Sequence, residues 1–312
     1  EVAAQWTDAY SETTFSFANS INTHEGGTHL TGFRAALTRV LNDFGKKLGV
    51  FKAGEVESLS GDDVREGLMA VVSVKVKDPQ FEGQTKGRLG NPEVKGAVEV
   101  VVGKQLTEFL EDHPEDARGI LNKCTTAARA REAARKALDY LVEKELRGCG
   151  KAPGRCVGQG GAPDAGSAAL AVVAMAEYER GTKEGRYLTP LKDVLAYLLW
   201  LQEPNGDFVH IYEVDRDLRS PVRLLYYSGE AALGLIEAFR VLEDPALLEP
   251  IRKALDFLTK ENWSFFGSQY FFGEEHWTCI AANEAFPEVQ DDAYLEFCED
   301  FSAFLRQMQT AE

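Results

Sequence analysis

Apolar positions in residues 1–137 switch between strand-like and helical spacing. Residues 5–21 are rich in β-branched and aromatic side chains with partial period-two alternation, which predicts two short strands. Helical spacing follows from Thr31 to Lys47, and a β-rich apolar run predicts another strand from Leu68 to Val76. Two prolines near the starts of later apolar stretches, Pro92 and Pro114, predict two more helices. The first part of the chain is therefore predicted to be an α/β domain.

Residues 138–312 have helical spacing and an internal repeat. The string GSAAL at Gly166 returns as GEAAL at Gly229, 63 residues later. A second phrase occurs as ALDYL, VLAYL and ALDFL, which contain Leu138, Leu195 and Leu255. Two interleaved phrases with a period near 60 residues predict repeated helix pairs, with the Gly- and Ala-rich helices as the inner layer. The layout resembles the α/α-toroid class. Because a closed ring of six pairs would need about 360 residues, we expect an open arc of about three pairs, a partial α/α toroid.

A single helix is predicted to join the two halves. Residues 128–148, ARAREAARKALDYLVEKELRG, consist mainly of strong helix formers and contain no proline. No linker rich in Gly, Ser or Pro separates the halves. We therefore expect two domains, residues 1–137 and residues 138–312, fused through a continuous helix. The sequence leaves open whether the fusion is natural or engineered.

The segment GQTKGRLG (83–90) follows the strand-like run and is flanked by glycines. Gln84 offers a neutral amide donor, and Lys86 offers a mobile ammonium group with three donors. Together they can hold a phosphate from two directions. Taken alone, such a triplet is more often part of a solvated loop.

Three longer strings change this interpretation. They are FSFANSINTHEGGTHLTGFRAALTRVLNDFGKKLG (15–49), SGDDVREGLMAVVSVKVKDPQFEGQTKGRLGNPEVKGAV (60–98) and AARAREAARKA (127–137). With these strings in this order, residues 1–137 closely resemble the transducer domain of DNA gyrase B, in the type IIA topoisomerase family. The resemblance implies a sheet backed by helices, and it implies that Gln84 and Lys86 contact the γ-phosphate of ATP. Arg34 and Arg39 become candidates for facing the DNA-holding cavity, with an ordinary solvated helix face as the alternative.

The same resemblance implies what the parent enzyme contains beyond this chain. Its ATPase domain would lie before residue 1, and its DNA-cleaving domain would follow shortly after residue 137. We therefore expect a fragment of an ATP-dependent DNA topoisomerase that is not a complete enzyme alone. ATP and magnesium are cofactors of the parent enzyme and are not expected on this chain alone. The implied partners are the gyrase ATPase domain, gyrase A and DNA.

Charge and cysteine content add further limits. Residues 1–137 contain 20 acidic and 18 basic side chains, whereas residues 138–312 contain 30 and 16. The acidic half should repel polyanions, so nucleic acid binding is not expected there. The sequence contains no run of about 18 apolar residues, so no membrane helix is predicted. Five irregularly spaced cysteines indicate the reduced thiols of a cytoplasmic protein, although Cys149 and Cys156 could form a disulfide or a metal site.

The second half contains scattered candidate site residues. In α/α toroids, inner-helix starts and their loops line a central cavity. The candidates there are Asp164, Asp207, His210, Tyr212, Tyr226, Tyr227, Glu230, Glu274, Glu275, His276 and Glu284. Paired carboxylates act as acid and base in glycoside hydrolysis. The alternative function is therefore a toroid-like enzyme or ligand-binding domain for a sugar or apolar small molecule. The competing interpretation is that the carboxylates stabilise helix starts and the tyrosines pack in the core.

The string HEGGTH (24–29) differs from the HExxH motif of zinc proteases. Its histidines are five residues apart instead of four, and Gly26 and Gly27 oppose a helix. We interpret this segment as a structural turn.

Overall fold

The structure is a computed structural model that describes residues 1–52, 56–158, 160–260 and 275–309. Its internal contacts divide the chain into two compact units, Glu1–Ala134 and Arg135–Glu312. Each unit has a hydrophobic core of its own.

The first unit has mixed α/β structure, as the spacing predicts. Its strands are β1 (Val2–Trp6), β2 (Thr13–Ala18), β3 (Ile21–Asn22), β4 (Gly26–Gly27), β5 (Leu68–Val74), β6 (Phe81–Glu82) and β7 (Arg88–Leu89). Its helices are α1 (Thr28–Lys47), α2 (Gly61–Arg65), α3 (Pro92–Asp112) and α4 (Pro114–Tyr140), the last of which extends into the second unit. The predicted helix starts at Pro92 and Pro114 are confirmed.

The main sheet of the first unit has four strands in the order β1-β5-β2-β3. Strand β5 is antiparallel to β1 and parallel to β2, so the two predicted N-terminal strands flank β5 and do not pair with each other. Alternate β5 residues, Leu68, Ala70 and Val72, are buried in the same core as Phe33 and Leu37 of α1. A smaller sheet has the order β4-β7-β6.

The second unit is mainly helical. Its helices are α5 (Ala165–Thr182), α6 (Leu188–Leu201), α7 (Tyr227–Leu242), α8 (Leu248–Lys260), α9 (Glu275–Val289) and α10 (Asp292–Gln309). Two short strand pairs accompany them: β8 (Leu146–Gly148) with β9 (Arg155–Val157), and β10 (Tyr212–Glu213) with β11 (Leu218–Arg219). Within the described residues, no helix is long and apolar enough to cross a membrane.

Helices α5, α7 and α9 pack side by side, and each also contacts the next helix in sequence, α6, α8 or α10. Repeated glycines allow the close contacts. A Cβ atom on Gly166 of α5 would lie 2.6 Å from the Tyr227 ring of α7, and one on Gly229 of α7 would lie 3.0 Å from Trp277 Cβ of α9. A side chain at Gly166 would therefore require the Tyr227 ring to move, and one at Gly229 would be tight against Trp277. Whether these helices form part of a toroid stays a prediction.

Helix α7 is covered on every side. All eleven residues from Ser228 to Ala238 are buried, including Glu230 and Glu237. A helix buried all round is part of a core. The Glu230 side chain is therefore buried, and its predicted place in a central cavity stays a prediction.

The junction differs from the predicted continuous helix. Helix α4 ends at Tyr140, a π-type turn spans Leu141–Glu145, and residues 146–148 form strand β8. Strand β8 pairs with β9, and the Arg155 side chain donates to the carbonyl of Leu146 at 2.8 Å. These hairpin contacts outweigh the helix propensity of the segment. Helix propensity is a local property and takes no account of contacts with a partner strand.

Four of the five cysteines are paired, so the expectation of reduced thiols is wrong for them. Cys149 forms a disulfide with Cys156 across the β8–β9 hairpin, and Cys279 of α9 forms one with Cys298 of α10. Cys124 is a buried free thiol.

Candidate functional site

The Gln84-Thr85-Lys86 segment forms the tip of the β6–β7 hairpin. All three residues are exposed. The backbone N–H of Lys86 donates to the carbonyl of Gly83 at 3.4 Å, and Lys86 itself has a left-handed backbone with φ of 54°. The Lys86 ammonium lies 5.9 Å from the centre of the Phe81 ring. The turn therefore presents one amide and one cation to the solvent, in the combination that can hold a phosphate.

Strand β4 supports this hairpin from one side. Gly26 and Gly27 pair in parallel with Arg88 and Leu89, and the N–H of Glu25 donates to the carbonyl of Gly87 at 2.9 Å. A Cβ atom on Gly27 would lie 2.4 Å from the carbonyl oxygen of Leu89, so only glycine allows this approach. The His24–Gly27 segment is thus a structural support, in agreement with the predicted turn. The described residues contain no cluster that could hold a metal ion.

A buried amide supports the base of the hairpin. Asn91 Oδ1 accepts from the N–H of Gln80 at 2.6 Å, and its Nδ2 donates to the carbonyl of Asp78 at 3.2 Å. The same amide donates to Glu93 at 2.9 Å, which lowers the pKa of that carboxyl. The bonds to Gln80 and Asp78 join the start of α3 to the segment before β6, and the bond to Glu93 lies within the helix start. The exposed tip is therefore held at its base as well as along β7.

His29 lies behind β4 and is fully buried. Its Nε2 is 3.2 Å from the Thr23 hydroxyl, which also bonds to Ser16. Burial lowers the pKa of His29, so the imidazole is neutral near pH 7. Its position favours a packing role over chemistry.

The two predicted DNA-facing arginines lie on α1 and both have carboxylate partners. Arg34 donates to Glu12 through Nε at 3.1 Å and through a terminal nitrogen at 2.7 Å. Arg39 lies 3.6 Å from Glu99 and remains half-exposed. A phosphate would have to compete with these carboxylates. The DNA-facing role of both arginines stays a prediction.

In the second unit, Asp207, His210 and Ser228 form a buried hydrogen-bonded chain. The Ser228 hydroxyl donates to Asp207 Oδ1 at 2.6 Å, and His210 Nε2 lies 2.9 Å from the same hydroxyl. Arg223 Nε pairs with the other Asp207 oxygen at 3.2 Å. The residue types are those of a hydrolase triad, but the order of contacts is different.

The protonation of His210 excludes a triad. Its Nδ1 accepts from the N–H of Leu224 at 2.6 Å, and burial lowers its pKa to about 4. A neutral ring with an accepting Nδ1 carries its proton on Nε2, so His210 donates to Ser228 and cannot remove the serine proton. In a triad the aspartate contacts the other histidine nitrogen. This chain of bonds therefore connects the 207–224 loop to the start of α7.

Glu230 belongs to the first turn of α7, and its side chain lies against the start of α5. Its Oε2 is buried without a hydrogen-bond partner, and a Cβ atom on Gly166 would lie 2.5 Å from it. Burial, and then the charge of Asp164, raise the pKa of Glu230. Asp164 itself caps α5 by accepting from the N–H of Ser167 at 2.7 Å. The helix-start interpretation thus fits Asp164, and Glu230 is a buried carboxyl with raised pKa.

The remaining predicted cavity residues are dispersed. Tyr212 is buried and donates to Asp217 at 2.7 Å, whereas His276 is exposed, with its ring centre 6.3 Å from that of Tyr226. Glu275 is the first residue of α9, and Glu274 lies outside the described residues. No described cavity gathers the predicted set. A sugar site built from these residues stays a prediction.

Sequence reasoning named Glu284 as a candidate but missed the charged cluster that it joins near the C-terminal ends of α5, α7 and α9. Glu237 pairs with Arg240 at 3.0 Å, and Arg240 also pairs with Glu284. A signal for this cluster exists in the sequence, because the triplet Glu-Ala-Phe occurs at 237–239 and again at 284–286. Both copies lie near the C-terminal ends of their helices.

Comparison with known proteins finds relatives of the first unit. The family model for DNA gyrase B matches residues 1–140. The DNA gyrase B protein of Clostridium acetobutylicum is 50% identical over 155 residues, which are 50% of this chain and 24% of that protein. Its counterpart from Mycobacterium tuberculosis H37Rv is 52% identical over 155 residues, which are 50% of this chain and 23% of that protein. Residues 1–140 are therefore similar to a segment of DNA gyrase B.

A solved structure of the 43K ATPase domain of Thermus thermophilus gyrase B, in complex with an aminocoumarin, is also similar. It is 47% identical with a TM-score of 0.41, and the match covers 44% of this chain and 37% of that one. The chain thus spans about a quarter of the length of the curated gyrase B relatives and about a third of this solved chain.

Proposed function

We propose that the gyrase B segment acts as a transducer in an ATP-dependent DNA topoisomerase, and that Gln84 and Lys86 bind the γ-phosphate of ATP held by an adjoining ATPase domain. The observation that carries the proposal is the exposed amide and ammonium at the tip of a hairpin whose base and side are fixed. A fixed support matters because phosphoryl transfer depends on positioning and charge stabilisation.

The proposed chemistry assigns a different role to each side chain. Lys86 neutralises charge that develops on the γ-phosphate oxygens, and Gln84 orients one oxygen through a neutral N–H. The hairpin is the only part of this chain in the proposed contact. Magnesium and the adenine-binding groups belong to the ATPase domain, and DNA and gyrase A are the proposed partners of the complete enzyme.

The hairpin alone should not bind ATP tightly. Charge-assisted hydrogen bonds contribute about 1.5–3 kcal/mol each before the entropy of ordering the loop is subtracted. Two exposed side chains therefore fall short of micromolar affinity, which needs about 8 kcal/mol. Isothermal titration calorimetry of this chain with ATP should show no micromolar binding.

The role of Lys86 is tested by exchanging segments. Residues 1–137 would replace the matching segment of M. tuberculosis gyrase B, and ATP turnover would be measured with its gyrase A partner and DNA. Lys86→Ala should lower kcat by at least 100-fold, since it removes a cation from the reacting phosphate. Lys77→Ala is the matched control, because Lys77 is also exposed and precedes the same hairpin. Unchanged turnover in an active Lys86→Ala hybrid would refute the assignment.

A further inference from the structure

The His24 side chain lies against the tip of the β6–β7 hairpin. A Cβ atom on Gly87 would lie 2.7 Å from His24 Cε1 and 3.1 Å from His24 Nε2, so the imidazole ring covers the residue that follows Lys86. The N–H of the neighbouring Glu25 donates to the carbonyl of Gly87 at 2.9 Å, which fixes the backbone beside the ring. Glycine at position 87 therefore leaves room for an imidazole one residue away from Lys86.

The imidazole of His24 is open to a ligand. Its side chain is 58% exposed, and within the residues that the structure describes neither ring nitrogen takes part in a hydrogen bond. The Glu25 Oε1 atom is 3.5 Å from His24 Nε2, which is longer than an N–H···O hydrogen bond. A neutral imidazole has one N–H donor. His24 can therefore offer that donor to an oxygen of a ligand without giving up a bond within the protein.

A third donor at the tip has a chemical use. A terminal phosphate exposes three oxygen acceptors, whereas Gln84 and Lys86 approach it from two directions. The Lys86 ammonium can turn about a flexible stem, so it fixes the orientation of a phosphate poorly. A planar ring that is held against the backbone at Gly87 would add a fixed direction.

We propose that His24 is a third phosphate-binding residue, whose ring N–H donates to the γ-phosphate of ATP beside Gln84 and Lys86. This inference rests on the proposed function, because that function brings the nucleotide to the hairpin tip. It gives the His24–Gly27 segment a chemical role in addition to its support of strand β7.

The test uses the hybrid enzyme in which residues 1–137 replace the matching segment of M. tuberculosis gyrase B. His24→Ala should raise the KM for ATP about fivefold or more, since a donor to a charged phosphate is lost. It should leave kcat within about twofold, because a neutral donor binds the phosphate similarly in the ground state and the transition state. His113→Ala is the matched control, since it removes an exposed histidine just after α3.

Two further substitutions separate the donor from the ring. His24→Phe keeps a ring over Gly87 but has no N–H, so its KM should match that of His24→Ala. His24→Gln keeps a side-chain N–H and should hold the KM close to the parent value. Gly87→Ala should push the ring aside and raise the KM, and combining it with His24→Ala should add no further increase, because both changes remove the same contact.

Hydrogen exchange of the full chain distinguishes a phosphate contact from a structural support. His24→Ala should leave exchange at residues 81–90 unchanged. Faster exchange there would overturn the inference, and so would an unchanged KM in His24→Ala or a parent-like KM in His24→Phe. If Lys86→Ala lowers kcat while His24→Ala leaves the KM unchanged, the proposed function stands and this inference fails. If Lys86→Ala has no effect, the proposed function fails and this inference falls with it.

Discussion

Gly27→Ala is the sharpest test of how the hairpin is held. Gly27 has φ of 136° and ψ of −168°, a region open almost only to glycine, where another residue costs about 1–3 kcal/mol. The new Cβ would also lie 2.4 Å from the Leu89 oxygen and 2.5 Å from the Leu89 nitrogen, so the backbones of β4 and β7 must separate. Each lost backbone hydrogen bond adds about 0.5–1.5 kcal/mol. The expected loss is about 2–5 kcal/mol, concentrated at the hairpin.

Hydrogen exchange with mass spectrometry measures this effect within the first unit. Amides of residues 81–90 should exchange faster in Gly27→Ala by a factor of ten or more, while those of β5 should change less. Gly49→Ala is the control, because Gly49 also has positive φ, 66°, but has no atom within 4 Å of its new Cβ. If both variants speed exchange at residues 81–90 equally, the clash with Leu89 does not support the hairpin and our reasoning is wrong.

Three further predictions concern buried groups. Ser228→Ala should lower the stability of the second unit by about 1–3 kcal/mol in urea unfolding, since Asp207 and His210 lose their shared partner. Hydrolysis of a nitrophenyl ester should stay at the background rate for both the parent chain and this variant. The pKa of Glu230 is raised in the folded protein, so the stability of the second unit should fall as the pH rises from the unfolded-state pKa of about 4.3 through the folded-state pKa. In thermal melts at several pH values, Glu230→Gln should reduce this fall, whereas Glu249→Gln, at an exposed position on α8, should not. Cys124 should react with iodoacetamide only after unfolding, which intact-mass measurement detects, because burial raises its pKa to about 12.

The first unit could be predicted well because its signals are local. Apolar spacing located α1 and β5, and prolines located the starts of α3 and α4. The pairing of β1 and β2 with opposite edges of β5 depends on contacts between residues far apart in sequence, so period-two spacing carried no information about it. The hairpin support was also invisible, because a Gly-Gly pair reads as a turn whether or not another strand packs against it.

The junction shows where propensity fails. Residues 141–148 contain good helix formers, yet they leave the α-helix because a partner strand, a disulfide and the Arg155 side chain lie within reach. Helix propensity amounts to a few tenths of a kcal/mol per residue, which a few tertiary contacts outweigh. The Gly-Lys-Ala-Pro-Gly string at 150–154 was the available signal, since it can turn the chain back onto itself.

The burial of charged residues on α7 could not be predicted from spacing. The sequence pattern places Glu230 and Glu237 seven residues apart, hence on one face of α7, and a charged face normally indicates solvent. In the structure this face is buried, and glycines and alanines let α5 and α7 pack closely together. Glu237 is stabilised by two arginines near the helix ends, whereas Glu230 has no basic partner among the described residues. Spacing alone predicts that these carboxyl groups are exposed to solvent. They are buried because of the same small-residue packing that made the helical repeat visible in the sequence.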